Sequence, residues 1–555
     1  MRDGVRLSAD VYRPNRPGPH PVIVIRVPYS KAHAQTIAFA HPHWYAARGY
    51  IVVVQDTRGR HASEGEFEPW HHEGVDGYDT VEWAASLPDA NGHVGMYGFS
   101  YAGTLQLQAA ALRPPHLRTI VPAFASLDLY ADWIYPGGAL SWAFLASWCP
   151  GDFAAESARR FGDAALEEQL STSARRLPDS YWHLPIAEFP DLPSRAAPYF
   201  HDWLAHPGRD EFWEQLDAEA ILAAVELPAL HIGGWMDVFV DGTLRNFSTL
   251  ASADVAEQRL VVGPWMHMPW TPWIVPEGDD AAGFGDVDRL QLEWFDRWLK
   301  PDDSQPGEPA DPVWVFTMGA ERWTNLPAWP QSAEATPWYL HSIGRANTRF
   351  GDGTLTLELP AYEECDTFVF EPKNPAPSLG GRSCCDPTLA PIGVFDQRPV
   401  EGRRDVLVYS SAPLEEGIEV RGGVTLVIWA ASSAVDTDFT GKLVDVHPDG
   451  RALNVVDGIV RARHREPGGP EVLLEPDAIY RFELNLGSAS WRFAPGHRLR
   501  LEVSSSSFPR YSRNANSRVH PNNARFSDFR VAVQRVFHDR DHPSALLLPL
   551  VELGD

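Results

Sequence analysis

The sequence is poor in cysteine, in basic residues and in long apolar runs. Only 4 cysteines occur among 555 residues, without the regular spacing of a disulfide scaffold, so we expect reduced thiols in a cytoplasmic protein. The formal net charge of -27 disfavours nucleic acid or an anionic membrane surface as a partner. No signal segment is visible, and no apolar run reaches the roughly 18 residues of a membrane-spanning helix.

The sequence does contain enough apolar material for packed cores. Hydrophobic residues make up 44% of the chain, and 21 tryptophans are among them. This composition excludes a disordered protein. The length of 555 residues exceeds what one hydrophobic core organises, and we therefore expect more than one domain.

Strand-like and helix-like patterns alternate along the α/β part of the chain. Short apolar runs that end in turn or polar residues are typical of buried parallel strands, and the segments between them have helical spacing. The alternation predicts a doubly wound α/β sheet. The strand-like runs cover residues 21–27, 50–56, 93–100, 117–124, 227–235, 259–265 and 313–319.

Changes of pattern divide the chain into four segments. Residues 1–125 and 223–333 are predicted to form the two parts of one α/β domain. Residues 126–222 are rich in Trp, Ala and Glu without a strand pattern, and we expect an inserted helical cap. Residues 334–555 contain short strand-like runs between Gly, Pro and Asp turns, which predicts an all-β sandwich of the jelly-roll type. These runs cover residues 354–359, 405–411, 423–432, 439–450, 479–486, 497–507 and 542–550.

Ser100 stands where a predicted strand meets a predicted helix, in the segment HVGMYGFSYAGTLQLQAA. Gly98 and Ala102 flank it as in the sharp turn of a nucleophile elbow, although the second glycine of G-x-S-x-G comes one position late, at Gly103. Backbone N–H groups at the start of such a helix stabilise an oxyanion, and Tyr101 carries the first of them. Ser100 is therefore the predicted nucleophile.

A nucleophilic serine needs a base, and the base needs a group that fixes its tautomer. Asp237 and His267 each follow a predicted strand, in HIGGWMDVFVDG and VVGPWMHMPW. The order Ser, Asp, His is the one expected of α/β hydrolases, and all three residues fall beyond the carboxyl ends of strands, where such sheets bind ligands. Asp241 and His231 are rivals, but the first is expected in a helix and the second within a strand.

Several segments resemble the cocaine esterase-like branch of the α/β hydrolases, also described as X-Pro dipeptidyl-peptidase-like or CocE/NonD hydrolases. The resemblance runs through almost the whole chain, and the elbow of this family has the form G-x-S-Y-x-G, which accounts for Gly103. The matching stretches are MRDGVRLSADVYRP, VPYSK, VVVQDTRGRHASEGEF, DGYDTVEWAA, GMYGFSYAG, GGWMDVF, GPWMHM, PAPSLGG, DTDFTGKLVDVHPDG and HRLRLEVSSSSFPRYSRN.

The resemblance implies roles for individual residues. Ser100, Asp237 and His267 would form the catalytic triad, and Tyr29 with the Tyr101 backbone would form the oxyanion hole. The resemblance also implies the helical cap, the C-terminal jelly roll and a homodimer. It places substrate-binding aromatic residues over the serine, namely Phe239, Trp142 and Trp148.

The function that we predict is the hydrolysis of a carboxylic ester of a small molecule through an acyl-enzyme, without a cofactor. Related activities on amides, as in an amino-acid ester hydrolase, a β-lactam acylase or an X-Pro dipeptidyl-peptidase, stay open. A carbohydrate-binding protein that acts through its sandwich is a remote alternative. So is a metallohydrolase, because its candidate ligands match no H-E-x-x-H helix; they are His71, His72, Glu73, Asp76 and Asp79.

Overall fold

The computed structural model describes residues 1–253, 256–267, 287–300, 311–331, 334–385 and 390–552. Strands in these ranges form two sheets, one of 9 strands and one of 11 strands. None of the helices in the same ranges is both long enough and apolar enough to cross a bilayer. The predicted order, an α/β sheet followed by a domain rich in β-strands, is confirmed.

The first sheet has the strand order β1-β3-β2-β4-β5-β6-β7-β8-β9. Its strands from β3 to β8 along this order are parallel, and only the edge strands β1 and β9 are antiparallel to their neighbours. The strands are β1 (Ala9–Tyr12), β2 (His20–Val27), β3 (Ile51–Asp56), β4 (Ala90–Phe99), β5 (Leu117–Ala123), β6 (Ala229–Met236), β7 (Gln258–Met266), β8 (Val313–Thr317) and β9 (Arg322–Leu326).

The inner strands are apolar because helices cover both faces of the sheet, so that every residue of β2, β3 and β6 is buried. The described helices are α1 (Pro42–Ala46), α2 (Glu73–Ala85), α3 (Tyr101–Ala111), α4 (Trp142–Cys149), α5 (Ala155–Arg160), α6 (Ala164–Ser171), α7 (Leu177–Ser180), α8 (Pro198–Ala205), α9 (Glu211–Glu214), α10 (Glu219–Leu222), α11 (Val240–Ala251) and α12 (Val287–Leu299).

The segment between β5 and β6 contains helices and no strand. Its helices α4 to α10 are short, and the segment also contains π-helical turns at Leu129–Ile134 and Pro150–Ala154. Aromatic side chains of this segment form one buried cluster, which also includes Tyr101 at the start of α3 and Phe239 directly before α11. The helical segment therefore lies over the end of the sheet where Ser100 is expected.

The second sheet has the order β12-β19-β14-β20-β10-β11-β13-β18-β15-β16, and β17 pairs with β14. Its core is continuous with α11 and with the strands β6 to β8, so the β-rich domain packs directly against this part of the α/β sheet. The strands are β10 (Ala335–His341), β11 (Thr354–Thr356), β12 (Asp366–Phe370), β13 (Leu407–Ser410), β14 (Ile418–Ser432), β15 (Asp438–Val446), β16 (Ala452–Arg461), β17 (Tyr480–Phe493), β18 (Arg498–Ser504), β19 (Ala532–Phe537) and β20 (Ala545–Val551).

The sequence favours reduced thiols but leaves the redox state of the adjacent pair of cysteines open, and in the structure this pair is oxidised. Cys384 and Cys385 form a disulfide, whereas Cys149 and Cys365 are free thiols. Side chains of consecutive residues normally diverge in an extended chain. Here the backbone turns through a positive φ of 78° at Cys385, a local conformation that the spacing of cysteines does not indicate.

Candidate active site

Ser100 occupies a tight turn between β4 and α3. Its φ of 61° and ψ of -125° are unusual for a residue with a side chain, and such strain persists only where surrounding structure enforces it. A Cβ at Gly98 would lie 2.7 Å from the carbonyl oxygen of Ala102, and one at Gly103 would lie 2.6 Å from that of Ala123. Both glycines are therefore required for helix and strand to approach so closely.

Two glutamines hold the turn from opposite sides. The side chain of Gln35 donates to the carbonyl of Phe99 and accepts from its N–H, both at 3.0 Å. Gln106 donates to the carbonyls of Gly98 and Val121 at 3.2 and 3.1 Å and accepts from the N–H of Val121 at 3.0 Å. Sequence analysis missed both residues, since no local pattern distinguishes a bracing amide from a surface one.

The structure brings the three predicted polar residues into one hydrogen-bonded chain. Ser100 Oγ lies 3.1 Å from His267 Nε2, and His267 Nδ1 lies 2.5 Å from Asp237 Oδ1. The parallel strands β6 and β7 are in register at Met236 and Met266, which places the next residue of each side by side. A carboxylate on Nδ1 leaves Nε2 free to accept the serine proton.

Burial fixes the orientation of this chain of residues. Asp237 is fully buried, and Ser100 and His267 are each 7% exposed. Asp237 Oδ2 accepts a hydrogen bond of 3.0 Å from the Phe239 N–H, so both carboxylate oxygens are bound. The imidazole of His267 also packs against Phe99 and Phe239, with ring centroids 5.0 and 5.2 Å away. The imidazole therefore has little freedom to turn from Ser100.

Tyr29 and Tyr101 are the residues that the family resemblance predicts as hydrogen-bond donors to an oxyanion. Tyr29 follows β2, and its hydroxyl accepts a hydrogen bond of 3.1 Å from Trp148 Nε1, which leaves the phenolic proton free to be donated. Burial, followed by the charge of Asp152, raises the pKa of Tyr29 far above the neutral range, so the phenol stays protonated. Tyr101 begins α3, where a backbone N–H has no partner within the helix.

The side chain of Tyr101 points into the scaffold. Its hydroxyl donates to Glu73 Oε1 at 3.2 Å and accepts from the Trp70 N–H at 3.0 Å. The ring of Tyr101 therefore anchors the start of α3, and its backbone N–H comes directly after Ser100 at the first position of that helix.

A buried aromatic cluster reaches the imidazole of His267 through Phe239. Phe239 is fully buried and lies 4.0 Å from Trp133 between ring centroids. Trp148 stacks on Phe144 at 4.9 Å. Sequence analysis missed Trp133 and Phe144. Trp142 belongs to the same cluster, but its indole donates to the Tyr181 carbonyl and packs on Phe189, away from the triad.

The rival residues have structural roles. Asp241 lies in α11 and pairs with Arg382 at 2.7 Å. His231 lies in β6, is buried, and bonds Gln258 Oε1 at 3.3 Å.

The acidic cluster that the metallohydrolase alternative invoked is bound to arginines. Glu73 pairs with Arg26 at 2.9 Å, and Asp76 pairs with Arg58 at 2.6 Å. Each carboxylate is thus compensated by a guanidinium, which a metal ion would have to displace. This arrangement does not fit a metal centre.

Two further groups of His and acidic side chains come close together within the described ranges, and hydrogen bonds explain both. In the first, Asp445 accepts from Trp491 Nε1 at 3.1 Å and lies 2.7 Å from His497 Nδ1. In the second, His520 Nδ1 accepts from the Asn522 N–H, which puts its proton on the nitrogen that would have to bind the metal.

Comparison with known proteins adds the family context. Residues 3–269 match the model of the X-Pro dipeptidyl-peptidase (S15 family), and residues 308–547 match that of the X-Pro dipeptidyl-peptidase C-terminal non-catalytic domain. The chain is 40% identical over 572 residues to cocaine esterase of Rhodococcus sp. (strain MB1 Bresler), with 100% of this chain and 97% of that protein covered.

Two solved structures resemble the whole chain. An aminopeptidase from a marine sediment Thaumarchaeota archaeon superposes with a TM-score of 0.81 and 26% identity, covering 100% of this chain and 95% of that one. An α-amino acid ester hydrolase superposes with a TM-score of 0.81 and 25% identity, covering 99% and 95%. Both the α/β sheet and the β-rich domain are therefore shared with known hydrolases.

Proposed function

The chain belongs to the X-Pro dipeptidyl-peptidase (S15) family, and from that premise we propose that it is a serine esterase with Ser100, His267 and Asp237 as its catalytic triad. The observation that carries this proposal is the hydrogen-bonded chain from Ser100 Oγ through His267 to the buried Asp237. The 40% identity to a cocaine esterase over the full chain favours a carboxylic ester as substrate.

Acylation follows from the positions of the three side chains. His267 Nε2 takes the proton of Ser100 as Oγ attacks the ester carbonyl, and Asp237 stabilises the imidazolium and its orientation. The tetrahedral oxyanion is held by the Tyr29 hydroxyl and the Tyr101 N–H, donors fixed before the reaction begins. His267 then gives its proton to the leaving alcohol.

Deacylation repeats these steps with water as the nucleophile. His267 takes a proton from water, which attacks the acyl-enzyme, and the proton then returns to Ser100. The same two donors stabilise the second oxyanion. The protein itself therefore supplies every proton transfer, and we propose no cofactor for the reaction.

The aromatic cluster supplies the acyl-binding surface in this proposal. Phe239 and Trp148 flank the triad and the oxyanion hole, and Trp133 joins them. An apolar or aromatic acyl group gains free energy by leaving water for such a surface. We therefore propose that aromatic acyl esters are better substrates than acetyl esters.

A second candidate is the hydrolysis of α-amino-acid esters. Asp152 lies close enough to Tyr29 for its charge to raise the pKa of the phenol, and a carboxylate at that place would attract a substrate ammonium group. The structural likeness to an α-amino acid ester hydrolase supports the same reading. A preference for free over N-acylated amino-acid esters, lost in Asp152→Asn, would favour this candidate over a simple esterase.

The deciding experiment measures hydrolysis of p-nitrophenyl acetate and benzoate by the wild type, by Ser100→Ala and by Ser248→Ala. Ser248 is a matched control, because its hydroxyl bonds the carbonyls of Leu244 and Trp329. We expect kcat to fall by about 10⁴-fold or more in Ser100→Ala only, together with loss of labelling by a fluorophosphonate. Full turnover by Ser100→Ala would reject the proposed nucleophile.

Composition and the family resemblance support proposals about topology, location and oligomeric state. We propose a jelly-roll topology for the C-terminal domain, a cytoplasmic location and a homodimer that acts on small molecules without nucleic acid or membrane as a partner. The net charge of -27 supports the exclusion of polyanionic partners. Light scattering and cell fractionation would test the dimer and the location.

A further inference from the structure

The disulfide Cys384–Cys385 lies beside the residue that orients the base. Ser383, directly before it, forms an isolated parallel β-bridge with Asp237. Arg382 ties the same segment to the end of β6 and the start of α11, because it donates to the Trp235 carbonyl at 3.0 Å and pairs with Asp241 at 2.7 Å. The position of this segment is thus coupled to the loop that carries Asp237.

The two sulfur atoms have different surroundings. Cys384 is 2% exposed and belongs to the cluster that contains Phe239, Trp133 and Trp148. Cys385 is exposed and has a φ of 78°, a region that residues with a Cβ seldom adopt without a constraint. The ring closed by the disulfide is such a constraint, and it fixes the backbone beside Cys384, a member of the same buried cluster as those aromatic side chains.

We propose that the Cys384–Cys385 disulfide determines acyl specificity by clamping one wall of the acyl-binding surface, and that a dithiol removes this specificity by reducing it. The proposal rests on the proposed function for the meaning of the acyl-binding surface. The free thiols Cys149 and Cys365 have no part in it.

The reduction step balances with the dithiol as the only reagent. A thiolate of the dithiol attacks the exposed sulfur of Cys385, which forms a mixed disulfide and releases the Cys384 thiolate. The second thiol then displaces the Cys385 sulfur and closes the oxidised dithiol. Two electrons and two protons pass to the protein, which ends with two thiols.

Reduction opens the disulfide ring, and the backbone at Cys385 can then change from a positive to a negative φ. Cys384 then no longer has a fixed place in the buried cluster that contains Phe239, Trp133 and Trp148. A bulky acyl group buries more of its surface against this wall than an acetyl group does, so its binding depends more strongly on the wall being fixed. Reduction therefore acts on the selectivity between acyl groups more than on the triad.

The test compares oxidised protein with protein reduced by dithiothreitol and then freed of it by gel filtration, since thiols cleave activated esters themselves. We expect two thiols in the denatured oxidised protein and four after reduction. The value of kcat/KM for the benzoyl ester should fall about tenfold on reduction, while that for the acetyl ester changes less than about twofold. Reoxidation with diamide should restore both.

Cysteine variants distinguish the effect of this disulfide from effects of dithiothreitol on the free thiols. Cys384→Ser with Cys385→Ser should show the reduced selectivity permanently and ignore dithiothreitol, whereas Cys365→Ser should respond as the wild type does. Equal kcat/KM values in both redox states, or equal losses for both esters, would overturn the inference. So would four thiols before reduction, a result independent of any activity. Failure of the proposed function would be seen separately, as hydrolysis that does not depend on Ser100.

Discussion

Polar side chains are buried both in the triad and in a network of the β-rich domain, but only the triad leaves hydrogen-bonding groups unused. The Ser100 hydroxyl, next to His267, can still form a further hydrogen bond, and the Tyr29 phenol keeps a proton to donate. In the second network, Arg461 forms two parallel hydrogen bonds of 2.9 and 2.8 Å with Asp438. That pair offers nothing to a ligand.

The second network extends to a neighbouring ion pair. Arg463 donates to Asp436 at 2.8 Å, and Asn514 donates to both Asp436 and Asp438, at 2.9 and 2.8 Å. Arg461 also donates to the Ser512 carbonyl at 2.8 Å. The network is saturated because an unpaired buried charge would be strongly destabilising.

The difference between the two networks teaches where to look for chemistry. Burial by itself does not mark a site, since Asp237 and Asp436 are equally inaccessible. A buried group with unused donors or acceptors towards a free space marks a site, and a saturated one marks scaffold. Three substitutions test this distinction, from the largest expected effect to the smallest.

The largest effect is expected in the saturated network. Arg461→Met should lower the free energy of unfolding by about 3–5 kcal/mol, because it leaves buried carboxylates without their partner. Urea unfolding would measure this change, and kcat of the folded enzyme should stay at its original value. Arg398→Met is the matched control, since its pair with Asp396 is 43% and 30% exposed and solvent screens the attraction, so the loss of stability should be far smaller. Equal losses in both variants would contradict the comparison.

A smaller effect, on catalysis alone, is expected at the oxyanion hole. Tyr29→Phe should lower kcat about 10²-fold with little change in the unfolding transition, because one of two oxyanion donors is removed. Steady-state kinetics with p-nitrophenyl esters would measure this. Tyr97→Phe is its control, because the buried Tyr97 hydroxyl has no hydrogen-bond partner in the described structure. A loss of stability without a loss of kcat would place Tyr29 in the scaffold.

The smallest effect is a dependence of stability on pH. Burial lowers the pKa of His231 to about 4, so between that value and the ordinary value near 6.5 the unfolded chain binds more protons than the folded one. Stability should therefore fall as pH falls, by about 1 kcal/mol between about pH 7 and 5.5. His231→Gln should flatten this slope in urea titrations at several pH values. An unchanged slope would show that other groups cause it.

Local sequence was sufficient for much of the α/β sheet. The apolar runs at 21–27, 50–56 and 259–265 became β2, β3 and β7 within a residue or so at each end, because strands buried on both faces must be continuously apolar. The edge strands β1 and β9 were missed. Their residues are only partly buried, and so they carry no such run.

The β-rich domain was less predictable in detail. The runs at 423–432 and 479–486 mark only parts of β14 and β17, which are 15 and 14 residues long and pair across a bulge near Val424. β10, β12, β16 and β19 were not predicted. Their registers depend on partners far along the chain, which a local window does not contain.

The sequence alone determined which chemistry is available: a serine between a strand and a helix, and an aspartate and a histidine after later strands, in the order of a known family. Only the tertiary structure decided which atoms meet. Packing set the 3.1 Å and 2.5 Å contacts of His267, and it placed Trp133 rather than Trp142 against Phe239. It also brought the bracing glutamines to the Ser100 turn and the disulfide close to Asp237. These residues are remote in sequence or, for the disulfide, lie in an irregular turn. Local propensity specifies strands and turns, whereas distances between side chains come from the packing of whole sheets and helices.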